Sequence, residues 1–333
     1  MRMACMEERE WLSLIKHYEG ADNKKSNLQL LVTFTLYFAI IAAMFALVIM
    51  DYPYWTLLLL SLPAAGFQVR IFIFLHDCSH NSYYKSSRAC SITGTICGII
   101  TFTPFYDWQR SHGIHHASVS NLDKRGTGDI WTMTVDEYRK ASTWVKIQYR
   151  IFRNPIFLFG IAPVFLFLII YRLPHKGMRK KDLMSIIFTN AMIALIITAA
   201  YFTVGVTAYI KVFLPVITLA SIFGMWLFFI QHQFKKVYWS HSGDWDPVKA
   251  AMKGSSFYRL PAVLRWFSGS IGYHHIHHLK PRIPNYRLRQ CYNDIPELQK
   301  IIPVTLFAGF RSLFLYLWDE KTGEMVNYSV LKQ

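Results

Sequence analysis

Residues 26–50 contain no charged side chain, and three further apolar runs follow at 52–75, 183–210 and 212–234, broken only by Arg70. A helix of about 20 apolar residues spans the hydrocarbon of a bilayer while satisfying its own backbone polar groups. Runs of this length exclude an ordinary soluble enzyme, a disordered chain and a disulfide-rich secreted module. The expected architecture is an all-α integral membrane protein with four transmembrane helices. Arg70 lies near one end of its run, where its long stem is expected to snorkel to the headgroups. No repeat, low-complexity tract or linker divides the 333 residues, so residues 1–333 are expected to form a single domain.

Formal charge is +16, and the basic residues cluster between the apolar runs. In this setting the excess points to anionic headgroups and acidic proteins, not to nucleic acid. The turn after the first run holds only Asp51, whereas Lys24, Lys25, Lys85 and Arg88 flank the opposite ends. By the positive-inside rule those basic flanks are cytoplasmic. The start, MRMACMEERE, fits neither a cleavable signal nor a transit peptide. Cys5, Cys78, Cys90, Cys97 and Cys291 form no CxxC or paired framework, so reduced thiols are expected.

Two shorter apolar segments, 89–106 and 154–171, carry helix-weakening residues: Gly94 and Gly98, then Gly160 and Pro163. Basic stretches follow both. We read them as interfacial or re-entrant, with two additional crossings as the alternative. The remaining sequence, about 76–182 and 235–333, is then a helical cytoplasmic cap.

Nine of the 13 histidines fall in three clusters: HDCSH at 76–80, HGIHH at 112–116 and HHIHH at 274–278. At 3.6 residues per turn, positions i, i+3 and i+4 project from one side of a helix. His76 and His80 therefore point together, as do His112, His115 and His116, and His274, His277 and His278. A lone histidine is usually a satisfied polar residue; three such clusters at one membrane surface are better explained as a metal site. Imidazole suits Zn, Cu, Fe and Ni alike. Eight or nine imidazoles exceed the four ligands of one zinc, so two metals with open positions fit better. The chain has no Glu-x-x-His, which excludes the carboxylate-bridged di-iron bundle. Asp77 and Asp129 are candidates for acceptors that orient imidazoles, with helix capping or plain surface exposure as alternatives. Cys78 faces away from the first cluster by helical phase and is expected to pack. His17, His175 and His241 have no partner at ligand spacing.

The three clusters, in this order and spacing, resemble the histidine boxes of the integral-membrane fatty-acid desaturases. HASVSNLDKRGTGDIWTMTVDEY (116–138), GSSFYRLP (254–261) and GYHHIHHLKPRIPNYRL (272–288) are similar to the bacterial acyl-lipid branch, of the Bacillus type that acts at Δ5. The resemblance covers about nine-tenths of the chain. It implies a non-haem centre of two Fe ions and O2 as co-substrate. Its ligands would be His76, His80, His112, His115, His116, His274, His277 and His278. It also implies a ninth ligand at the end of the last transmembrane helix, for which His232 is the candidate; a histidine snorkelling at the interface is the alternative. His275 is extra to the box pattern and is expected to be structural or to support a ligand. The implied reaction is oxygen-dependent cis desaturation of membrane phospholipid acyl chains in a bacterial-type cell membrane, with the active site on the cytoplasmic side.

No haem-binding His-Pro-Gly-Gly and no nucleotide-binding glycine fingerprint occurs, so the electrons must come from elsewhere. An acidic carrier, ferredoxin or flavodoxin, suits the basic face, and Arg110, Lys124 and Arg125 beside the second box are its expected docking residues. Lys124 and Arg125 are equally placed to meet a phosphate headgroup. A membrane di-iron hydroxylase would share this metal site and is the main alternative. A bis-histidine haem protein would need histidines within crossing helices, and a metal transporter would need ligands through the bilayer interior.

Overall fold

The computed structural model describes residues 8–332. A short amphipathic helix, α1 (Glu8–Ile15), precedes the first crossing helix, α2 (Asn23–Ile49). Asp22 starts α2 by accepting from the backbone N–H groups of Lys24 and Lys25, which would otherwise lack partners. Asp51, at φ 54°, turns the chain back into α3 (Tyr54–Ser79). Two helices, α4 (Ser87–Ile100) and α5 (Phe105–Ser118), then meet at a bend of 102°. Next come α6 (Val135–Lys140) and α7 (Thr143–Phe152), a π-helical turn over Ile156–Ile161, and α8 (Ala162–Leu168). The last two crossings are α9 (Lys180–Phe202) and α10 (Val206–His232). The cap is completed by α11 (Pro247–Gly254), α12 (Ala262–Phe267), α13 (His274–Leu279), α14 (Asn285–Asp294) and α15 (Leu306–Ser312).

The four transmembrane helices agree with the expected all-α fold, and α3 is the central one: 61% of its most apolar window is buried, against 22% for α2. Lipid tails are as apolar as leucine, so close packing and internal hydrogen bonds hold such helices together. Accordingly α3 presents Ser61, Ala64 and Ala65 at its buried surface, and Tyr37, Ile41 and Met44 of α2 pack into the same core as Phe67, Ile71 and Phe74.

Two expectations need correction: the boundary at Lys211 between the runs 183–210 and 212–234, and the snorkelling of Arg70. Lys211 does not separate the third and fourth crossings. The turn lies at Thr203–Gly205, where Gly205 takes φ 84°, a conformation open to glycine, and Lys211 is exposed inside α10. Arg70 does not snorkel. It is buried, its Nε donates to Thr33 Oγ1 at 3.1 Å, its Nη1 to the Trp266 carbonyl, and the guanidinium lies 4.2 Å from the Trp266 ring centroid. These two hydrogen bonds and the stacking on Trp266 hold the guanidinium inside the protein in place of contact with water. The cap also contains a small sheet, β1 (Met133–Thr134), β2 (Leu317–Asp319) and β3 (Glu324–Val326), parallel between the first two and antiparallel between the last two. Strands of two or three residues leave no usable alternation in the sequence.

The segment 89–106 ends within the bundle. Gln68 Nε2 donates to the Ile100 carbonyl at 3.3 Å, and Gln68 precedes His76 by eight residues, or about 12 Å of helix. Gly94 and Gly98 are close-approach points more than weak spots: a Cβ at Gly94 would overlap the Phe105 ring, and one at Gly98 the Thr103 carbonyl. In the second segment Gly160 falls inside the π-helical turn and Pro163 in the first turn of α8; α7 and the apolar stretch after it are bent by 58°. Cys78, Cys90, Cys97 and Cys291 are buried and free, whereas Cys5 lies outside the described residues.

Candidate metal centre

Both returning helices deliver histidines to one end of the bundle. The last turn of α3 carries His76, with His80 as its C-terminal cap residue, and α10 ends on His232. The bend after α4 swings α5 across this end with His112, His115 and His116, and α13 closes the site with His274, His277 and His278.

The nine imidazoles form two groups. His76, His80, His112, His116 and His277 offer one nitrogen each within 4.8 Å of one another, and so do His115, His232, His274 and His278. The second and third boxes therefore each divide. Their i and i+4 members stay together, while the third, rotated about 100° from its neighbour, joins the other group. His115 crosses to the pair from α13, and His277 to the pair from α5. One face per box, as the spacing suggested, is true only to within that rotation.

The nitrogens fit shared cations better than a hydrogen-bonded cluster. His274 Nε2 lies 2.9 Å from His232 Nε2 and 3.0 Å from His278 Nε2. His116 Nε2 lies 3.1 Å from His112 Nε2 and 2.9 Å from His277 Nε2. A single N–H or lone pair cannot serve two such neighbours at once. Bonds of about 2.1 Å to one ion, set at right angles, would place donors about 3 Å apart. His76 Nε2 and His80 Nε2 are buried with no hydrogen-bond partner among the described residues. Burial, reinforced by neighbouring imidazoles, holds His112, His116, His274, His277 and His278 well below the ordinary imidazole pKa, so their lone pairs are available at neutral pH.

Acceptors fix several rings from behind. Asp77 Oδ1 lies 3.2 Å from His76 Nδ1, and its Oδ2 accepts from both the backbone and side-chain nitrogens of Asn285 at 2.8 Å. Asp129 Oδ1 lies 2.7 Å from His115 Nδ1, and the Gly254 carbonyl lies 3.3 Å from His232 Nδ1. Such contacts set the tautomer and aim Nε2 at the site. Trp108 stacks on His112 with centroids 4.4 Å apart. Asn285, Gly254 and Trp108 escaped the sequence reading. Asn285 lies seven residues beyond His278 in the similar block 272–288, and Gly254 opens the similar block 254–261; these were the available hints.

His275 joins neither group; it is fully buried beside Phe257 and Tyr292, and burial lowers its pKa to about 4. Cys78 packs in the core with Cys90 and Cys97. His17 is exposed, while His175 Nε2 meets Asp107 at 2.9 Å and His241 bridges Asp123 and Glu320 at 2.6 and 3.1 Å. Of the expected docking residues, Arg110 pairs with Asp182 at 3.4 Å, Arg125 pairs with Glu137, and Lys124 is exposed. A separate cleft of about 400 Å³, whose walls include Arg9, Lys16 and Lys280, opens onto His278.

A bundle of four crossings whose cap gathers nine imidazoles into two groups defines a multi-pass membrane protein with a histidine-only dimetal-type site. The profile of the family "Fatty acid desaturase" matches residues 52–306, and the chain belongs to that family of membrane oxidoreductases. Among its relatives is a "Fatty acid desaturase" of Bacillus subtilis, 41% identical over 311 residues, covering 93% of this chain and 88% of that protein. The "sn-1 acyl-lipid omega-3 desaturase (ferredoxin)" of Synechocystis is 24% identical over 241 residues, covering 68% and 64%. A chloroplastic "Omega-6 fatty acid desaturase" of Brassica napus is 26% identical over 254 residues, covering 73% and 55%. The chain thus spans less than two thirds of the length of the latter two.

Proposed function

We propose that this chain desaturates the acyl chains of membrane phospholipids with O2, forming a cis double bond, through two Fe ions held by the nine histidines. The convergence of nine imidazoles into two groups carries this reading. His76, His80, His112, His116 and His277 would hold one ion, and His115, His232, His274 and His278 the other. The bound ions supply the oxidising chemistry that removal of hydrogen from unactivated methylenes requires and that no side-chain acid or base provides. The protein's own part is positional. Asp77 and Asp129 fix the rings of His76 and His115, Asn285 holds Asp77, and Trp108 and Phe228 wall the site against water.

The charge pattern supports a cytoplasmic site in a bacterial-type cell membrane, within a single folded domain. An acidic carrier, ferredoxin or flavodoxin, is the proposed electron source; the printed name of the Synechocystis relative includes ferredoxin. Lys124 with Arg110 and Arg125 offers it one face. The cleft of Arg9, Lys16 and Lys280 offers a shorter approach, because it reaches His278 itself. Likeness to the Bacillus type makes Δ5 the preferred position.

The test is expression in a host that makes no such product, with the double bond located by mass spectrometry of derivatised esters. A new cis Δ5 alkene is expected. A bond at Δ9 or Δ12 would overturn the position, and hydroxylated chains without new alkenes would overturn desaturation in favour of hydroxylation.

A further inference from the structure

Two short helices of the cap pack against the crossing helices beneath the histidine centre. Trp266 of α12 receives Arg70 of α3, and Phe267 covers Gly66. On α15, Gly309 lies against Trp226 and Ile230 of α10. Arg70 precedes His76 by six residues, and Trp226 precedes His232 by six. At 1.5 Å per residue both short helices therefore lie about 9 Å inside the level of the site. Neither is long enough to cross. Their outer surfaces and the turns on either side of α15 are apolar and uncovered, with Val263 66%, Ile302 80%, Phe307 66% and Phe314 60% exposed. At this depth such a rim lies among lipid headgroups and upper acyl segments.

Beside α12, walled by residues 257–260, the turn 270–273, α14 and Pro303, lies a cleft of about 260 Å³ lined by Arg259, Arg265 and Arg289 together with Tyr273, Tyr292 and Asn293. Among the described residues no carboxylate pairs with any of these three arginines, whereas Arg110, Arg125 and Arg179 all have one. Arg259 and Arg289 are exposed and Arg265 is half-buried, so water softens their mutual repulsion without removing it, and three like charges remain around one small cleft. An anion removes that repulsion. The planar fork of arginine matches the oxygens of phosphate two at a time, and the tyrosine hydroxyls and the asparagine amide add donors. Gly272 and Tyr273 line the cleft, and the next residue is His274. A group bound there is thus one residue from the third histidine cluster.

We propose that this cleft holds the phosphate of a membrane phospholipid, whose headgroup enters beside α12 and so presents the acyl chain to the histidine centre. The proposal deepens the reading of a lipid-bound acyl substrate and rests on it for its purpose, though not for the binding itself. Energy from the unreacting phosphate would orient the chain.

The experiment titrates detergent-purified full-length protein with dioctanoyl phosphatidylglycerol, following tryptophan fluorescence and phosphorus NMR line width. Dioctanoyl glycerol and inorganic phosphate serve as separate probes. Arg265→Gln combined with Arg289→Gln is expected to weaken phosphatidylglycerol binding about tenfold or more. Exposed Lys253→Gln should leave it unchanged, and the single variants and Arg265→Lys should be intermediate. Unaltered thermal transitions establish that the variants fold; where the double variant does not, the single variants decide. Equal affinity in the variants, or wild-type binding of dioctanoyl glycerol as tight as that of the phospholipid, overturns the proposal. Inorganic phosphate binding as tightly as the lipid overturns it too, in favour of a simple anion site. No turnover is involved, so hydroxylated products would sink the desaturase reading and leave this result standing.

Discussion

His115 and His277 each leave the group formed by their own box and complete the other, so each ties two elements across the centre. His277→Ala should lower bound iron from about two to about one per chain by plasma mass spectrometry, and His115→Ala should do the same from the opposite group. Desaturation should fall by about two orders of magnitude or more in both, whereas His17→Ala and His175→Ala should retain iron and activity. Asp129→Ala should weaken metal retention about 10- to 100-fold through loss of the contact at His115. His175 supplies a pH dependence of a different kind. Its hydrogen bond to Asp107 raises its pKa above the ordinary value, so the folded state holds the proton more tightly than the unfolded chain. That contribution is fully present below the ordinary imidazole pKa and is lost as pH rises through the raised one. Protection of the loop 173–179 from hydrogen exchange, after division by the intrinsic base-catalysed rate, should therefore fall on going from mildly acidic to alkaline pH, and His175→Asn should flatten that fall. The histidines were legible because helical spacing is local. Their division between two groups was not, because it depends on where α5 and α13 meet.

At the scale of elements, the bend between α4 and α5 decides whether the second box reaches the site. Gly98 sits against the Thr103 carbonyl with no room for a side chain, and backbone cannot swing aside as a flexible side chain can. Gly98→Ala should destabilise the protein by about 1–3 kcal/mol in detergent unfolding and reduce iron content as α5 shifts. Gly160→Ala is the control, since nothing lies within 4 Å of a Cβ there. The cleft walled in part by α1 and α13 belongs to this scale as well. If the electron carrier docks there, Lys16→Glu with Lys280→Glu should raise the carrier concentration needed for half-maximal turnover about tenfold at low salt. The difference from wild type should shrink as the screening length falls to about 8 Å near physiological ionic strength. Unchanged donor dependence in that variant would direct attention to Arg110, Lys124 and Arg125. The sequence showed α4 as a weakened apolar segment but not its bend, since a glycine marks permissiveness and only its neighbours define what must come close.

For the whole molecule, orientation in the bilayer is the quantity to measure. In a background lacking the native cysteines, Asp51→Cys should react with an impermeant maleimide in intact cells, and Arg125→Cys should react only after permeabilisation. The opposite pattern would place the centre outside. The sequence by itself determined the solvent of this protein, because four long apolar runs leave a helix as the economical way to satisfy their backbone in lipid. It also determined the donor chemistry, since three histidine clusters at helical spacing, gathered at one membrane surface, point to a metal site. What only the tertiary structure decided is how those donors are shared, what holds them and what lies beside them. Asp77 meets Asn285 across 208 residues, and His115 meets His232 across 117. Arg70 turned inward to Trp266 from a position where the sequence allowed it to turn out. Separations of this size are set by packing among helices, and packing leaves no periodic trace along the chain. The apolar and histidine patterns are short-range and repeat within a turn or two, so they could be read before the fold was known.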